Sequence, residues 1–207
     1  MGPASPKERA AAIEPALALL ELSSIAAGVQ AADAMAKRAP IDVLKAGTVH
    51  NGKYLVLVGG EVADVEESLA AGREVGGSAV LDFVFLPHVH PEVVATMGGG
   101  RAPEATDALG IVETTTVAAA ILAADAGVKG ARVRLVELRL ADGLGGKGVA
   151  LFSGEVADVE AAVRAGVGAL ERPELLVRDV VIPRLHPDLW ENVGEATRFG
   201  ARVMGKL

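Results

Sequence analysis

The apolar run ALALLEL at residues 16–22 gives way to Ser23 and Ser24 and then to small residues as far as Lys37. That pattern predicts a strand and then a helix, because a serine caps the helix start and Pro40 forbids its continuation. IDVLKA (41–46) and KYLVLVGG (53–60) read as strands on either side of the polar connection GTVHNG. After Gly60 the period changes to that of a helix ending near Gly76, with Glu61 and Asp64 in its first turn, where the positive end of the helix dipole favours acids. AVLDFVFLP (79–87) is a fourth strand. The order β-α-β-β-α-β defines the ferredoxin-like class, in the α/β (α+β) division, and one antiparallel sheet with two helices on one face buries it most simply.

The pattern then recurs. GEVADVE stands at Gly60–Glu66 and again at Gly154–Glu160. ALALLELSSIAAGVQAADAMAK lies over ALGIVETTTVAAAILAADAGVK at an offset of 92, which places Glu21 on Glu113, Asp33 on Asp125 and Lys37 on Lys129. At the heptad the offset is 154 − 60 = 94, and where LPHVHP (86–91) meets IPRLHP (182–187) it is 96. Length changes confined to connections are what a duplicated fold produces. The second copy therefore has strands expected at Ala108, Val133, Gly148 and Leu175, and helices from Val117 and Val156. The expected organisation is a loose leader (1–15), copy one (16–96), a Gly- and Pro-bearing linker (97–107), copy two (108–193) and a tail (194–207). Arg198, Arg202 and Lys206, four residues apart, suit either a short basic helix or a frayed end.

Composition narrows the chemistry. Hydrophobic residues make up 51% and aromatics 3%, so the cores are built from Ala, Val, Leu and Ile. A net charge of −7, one Trp and one Tyr argue against nucleic-acid binding, which uses basic faces and stacking platforms. The absence of Cys excludes disulfides, thiolate metal sites and a cysteine nucleophile, and fits a reducing cytoplasm. Charged residues interrupt every apolar run below membrane-spanning length, so a soluble protein without membrane contact is expected.

Several motifs recur in order, complete in copy two and with departures in copy one: an A-L-G-x-x-E-T strand (ALGIVET, 108–114; ALALLEL, 16–22), A-A-D-A-x-x-K on the first helix, a Gly-bearing loop, G-(D/E)-V-x-x-V-x-x-A opening the second helix (Ser68 for the last Ala in copy one), and V-I-P-x-x-H closing the last strand (FLPHVH in copy one). In these the chain resembles the bacterial microcompartment shell proteins of the tandem-domain, trimeric type, with unpermuted element order. The resemblance implies a homotrimer forming a pseudohexameric disc, discs that tile with other shell proteins (hexamers and pentamers) into facets, and a central pore for small metabolites. It places Lys37 and Lys129 at the disc edge, where the plain alternative is a solvated lysine answering the helix C-terminal dipole. Arg184 matches a second edge position, and His88 departs from it in copy one.

The same resemblance maps the pore loop to Thr48, Val49, His50, Asn51 and Gly52 in copy one and to Asp142, Gly143, Leu144, Gly145 and Gly146 in copy two. Glycine suits a loop that presents backbone N–H groups around a narrow axis, and equally suits an ordinary hairpin. GLGGKG is not a phosphate loop, because Gly148 rather than Ser or Thr follows Lys147 and a strand rather than a helix follows. Some similar tandem shell proteins hold an iron–sulfur centre through a pore-loop Cys, which this chain lacks, so no cofactor is expected. His50 is a candidate metal-binding or titrating group on a threefold axis, set against a solvated loop histidine.

An enzyme is not expected. His90 and His186 are duplicate positions beside prolines, and no nucleophile–base–acid set or carboxylate pair shows catalytic spacing. The competing reading is a tandem ferredoxin-like sensor that closes around a small molecule.

Overall fold

The computed structural model describes residues 16–97 and 107–195, with side chains to Val193; the leader, most of the linker and the tail from residue 196 lie outside the described residues. It divides into two compact units, residues 16–48 with 52–89, and residues 49–51 with those from 90 onward.

The first unit contains β1 (Ala16–Leu22), α1 (Ile25–Arg38), β2 (Val43–Val49), β3 (Lys53–Gly60), α2 (Val62–Gly76) and β4 (Val80–Leu86). Its sheet runs β2-β3-β1-β4, with β1 antiparallel to β3 and β4. Alternation on β1 sends Ala16, Ala18, Leu20 and Leu22 to one face, where they pack with Val56 and Val58 against Ala31, Ala32 and Met35 of α1 and Val65 and Leu69 of α2. Both long helices thus lie on one side of the sheet.

The second unit repeats the order with β5 (Ala108–Thr114), α4 (Val117–Gly130), β6 (Arg134–Leu140), β7 (Gly148–Gly154), α5 (Val156–Gly168) and β8 (Leu176–Pro183), in the sheet order β6-β7-β5-β8; α3, described below, precedes them. Helix starts are duplicated to the atom: Ser24 Oγ accepts from Ala27 N at 3.3 Å, and Thr116 Oγ1 from Ala119 N at 3.2 Å. One packing pair is exchanged between the copies. Tyr54 covers Gly28 in the first, whereas in the second Gly148 leaves room for the methyl of Ala120. Large opposite small and small opposite larger keep both layers close.

Two details differ from the expectation. Glu61 is the cap residue of α2, without a side-chain capping bond, and Asp64 alone of the two acids lies in the first turn. Each copy also ends in a short helix that the hydrophobic period did not announce: α3 (Pro91–Met97) and α6 (Pro187–Glu195). The duplicate His-Pro pairs start them. His90 Nδ1 accepts from Glu92 N, and His186 Nδ1 from Asp188 N, both at 3.3 Å, while proline takes the first helical position, where no N–H is needed. Leu185 and Trp190 then pack with Leu109, Val136 and Leu151 on the sheet face opposite α4 and α5.

Candidate functional site

The two loops assigned to the pore are built differently. β2 extends to Val49, so Thr48 and Val49 are strand residues rather than loop residues, because the pairing pattern continues past the polar threonine. The loop proper is the single turn His50–Gly52, in which Asn51 (φ 69°) and Gly52 (φ 68°) take left-handed backbone. The second loop spans residues 141–147 between β6 and β7. Gly143, Gly145 and Gly146 have φ of 74°, 63° and 83°, which glycine adopts without the steric cost of a Cβ. Ala141 O accepts from Leu144 N at 2.9 Å and Gly146 N at 3.4 Å, and Ala141 N donates to Lys147 O at 2.9 Å. The loop is a hydrogen-bonded knot rather than a loose hairpin.

Residues 49–51 belong to the second compact unit, and the side chains of His50 and Asn51 bond to this loop. Asn51 Nδ2 donates to Gly145 O at 2.6 Å. His50 Nδ1 lies 3.2 Å from both Asp142 Oδ1 and Gly143 N. One ring nitrogen cannot serve both: bare, it accepts from the Gly143 amide, and protonated, it donates to the carboxylate. His50 and Asp142 are both exposed, and among the described residues no group of three or more His, Asp or Glu is placed to hold a metal ion.

Beneath each loop stands a duplicated ion pair that the sequence reading did not single out. Lys53 Nζ is 2.6 Å from Glu21 Oε1, and Lys147 Nζ is 2.7 Å from Glu113 Oε1. Each lysine opens or adjoins the strand leaving the loop, and each glutamate sits on the neighbouring strand. The Glu21 carboxylate is fully buried, whereas the second pair is part exposed. The signal available in the sequence was the joint recurrence of Glu and Lys.

The edge candidates are at helix and strand ends. Lys37 and Lys129 close the same i, i+4 pair, with Asp33 at 2.7 Å and Asp125 at 2.6 Å. Asp125 is buried and also accepts from His90 N at 2.8 Å; Asp33 is exposed. His88 and Arg184 are both exposed, but Arg184 has φ 51°, a left-handed backbone that costs a non-glycine residue roughly 1–2 kcal/mol. Its N–H donates to Asp107 O at 2.6 Å.

The BMC domain model matches residues 16–89 and 108–185. The chain belongs to the BMC domain family. It carries two such domains in tandem, each with the unpermuted order of elements described above. The bacterial microcompartment shell protein PduT of Citrobacter freundii is 39% identical over 180 residues, covering 87% of this chain and 98% of PduT. The shell protein EutM of Salmonella typhimurium is 46% identical over 85 residues, 41% of this chain but 86% of EutM, so a single copy here spans most of that relative. Among solved structures, a microcompartment protein of Desulfitobacterium hafniense superposes with a TM-score of 0.74 at 43% identity, over 86% of this chain and 98% of that one.

Proposed function

We propose that three copies of this tandem BMC protein close into a pseudohexameric disc, that discs tile edge to edge with other shell proteins into a facet, and that the two strand-connecting loops line its central pore. The chain is a microcompartment shell protein by family, and the shell is its place in the cell. The observation that carries the assembly is the duplication itself: two copies of one wedge-sized domain per chain supply six wedges from three chains. On this reading the wedges are residues 16–96 and 108–193, joined by the linker at 97–107.

The loop geometry supports the pore assignment. Asn51 and His50 bond to the glycine knot of the second loop, and a Glu–Lys pair joins the base of each loop to the neighbouring strand. Small metabolites are the passengers, and the protein's role is structural rather than catalytic. At the perimeter, Lys37, Lys129, His88 and Arg184 meet neighbouring discs. The strained backbone of Arg184 favours this role, since strain on a non-glycine residue is kept where the side chain's placement matters. The sensor alternative is not favoured by family membership. Electron microscopy of purified protein tests the proposal: wild type is expected to give discs that form sheets, and Lys37→Ala with Lys129→Ala discs without sheets. Compact particles with no disc, or sheets undiminished in the double variant, would contradict it.

A further inference from the structure

Two asparagines occur in the chain, and they stand in opposite surroundings. Asn192 lies within α6 ahead of the β-branched Val193, and its amide donates to Asp188 O at 2.6 Å. Asn51 lies in the first loop ahead of Gly52, and both of these residues are exposed. A following glycine leaves the next backbone nitrogen uncrowded, because no Cβ stands beside it. The surroundings are open as well: a Cβ built on Gly52 would meet nothing within 4 Å among the described residues. No residue of the turn His50–Gly52 is buried. The Asn51 side chain is held by the bond from Nδ2 to Gly145 O at 2.6 Å.

We propose that Asn51 is a spontaneous modification site, at which the Gly52 backbone nitrogen attacks the side-chain carbonyl carbon and the residue becomes aspartate or isoaspartate. The bond that forms joins Gly52 N to Asn51 Cγ, and the bond that breaks is that from Cγ to Nδ2. Nδ2 leaves as ammonia, carrying the proton that Gly52 N gives up. Water then adds to either carbonyl of the cyclic imide and opens the ring. One opening gives aspartate; the other gives isoaspartate, in which the main chain runs through the former side-chain carbonyl. Water is the sole co-reactant, and nothing is oxidised or reduced. Opening of the bond to Gly145 O sets the pace, because Cγ must turn toward Gly52 N and leave the left-handed geometry of Asn51 (φ 69°, ψ 20°).

The product cannot restore the bond it replaces. Asn51 Nδ2 donates and Gly145 O accepts, whereas a carboxylate offers only acceptors, so two oxygens would face each other where a hydrogen bond stood. Isoaspartate in addition inserts a methylene into the main chain of a single-turn loop. The added charge is negative and falls beside His50, whose Nδ1 lies 3.2 Å from the Asp142 carboxylate. The covalent step requires neither the trimer nor the pore. On the pore reading it gives each disc one further carboxylate per chain on its rim, so that the charge of the rim records the age of the protein.

Peptide mapping of the full-length wild-type protein, incubated folded at neutral pH in water enriched in heavy oxygen, reads the reaction directly. Cleavage after Lys45 and Lys53 isolates residues 46–53, which contain Asn51 without Asn192. Conversion with uptake of heavy oxygen is expected there, about ten-fold or more faster than in the peptide bearing Asn192, where a β-branched residue follows. Gly145→Ala strains a left-handed position (φ 63°) and sets a Cβ 3.9 Å from Asn51 Nδ2, so it is expected to speed conversion about two- to five-fold by loosening the bond. Folded protein that stays unconverted while urea-unfolded protein converts would overturn the site, as would equal rates at Asn51 and Asn192. Asn51→Asp, made directly, is expected to speed hydrogen exchange at Leu144 and Gly146, whose amides donate to Ala141 O; unchanged exchange would overturn the effect on the loop. Each readout is local to the loops, so its failure leaves the trimer and pore reading standing.

Discussion

Lys53 and Lys147 hold equivalent places at the loop bases, but burial separates their worth. Replacing Lys53 by Met strips its partner cation from a fully buried carboxylate and is expected to cost about 3–5 kcal/mol. Lys147→Met acts on a part-exposed pair and is expected to cost less than about 1 kcal/mol. Urea unfolding of the two variants measures the contrast, and equal midpoints would show that burial of Glu21 does not govern the pair. Arg184 separates stability from assembly in the opposite sense. Arg184→Gly relieves the left-handed backbone and is expected to raise the unfolding free energy by about 1 kcal/mol while weakening sheet formation. The sequence identified Arg184 by resemblance, but nothing in its neighbours announced the positive φ, which occurs together with the bond from its N–H to Asp107 O.

At the level of elements, the apolar runs such as ALALLEL, the helical period after Gly60 and the repeat were enough to locate every strand and all four long helices. The short helices escaped that reading. Seven and nine residues give too few turns for a period to stand out, and their starts are written in the His-Pro caps rather than in apolar spacing. The end of β2 was likewise set too early, since Thr48 is polar in sequence yet paired in the sheet. Close packing gives the sharpest test of the layers. A Cβ at Gly148 would meet Thr116 O at 3.0 Å and collide with Ala120, so Gly148→Ala is expected to cost about 1–3 kcal/mol. Gly47→Ala, with nothing within 4 Å of the added methyl, is expected to leave the melting temperature essentially unchanged or slightly raised. A comparable loss in both variants would contradict the layer packing.

For the whole molecule, the repeated heptad and the offsets of 92, 94 and 96 made the duplication plain, and with it the family. What the letters could not show is which repeat-equivalent faces are covered and which are open. Ile121 and Val29 are both apolar in sequence; only the fold reveals that one is buried and the other exposed. In the proposed assembly, the two loops and the edge lysines serve one disc of three chains. Native mass spectrometry of the purified, full-length protein tests that claim most directly. The expected result is a dominant species of three times the chain mass; a dominant monomer, dimer or six-chain species with no three-chain species would contradict it.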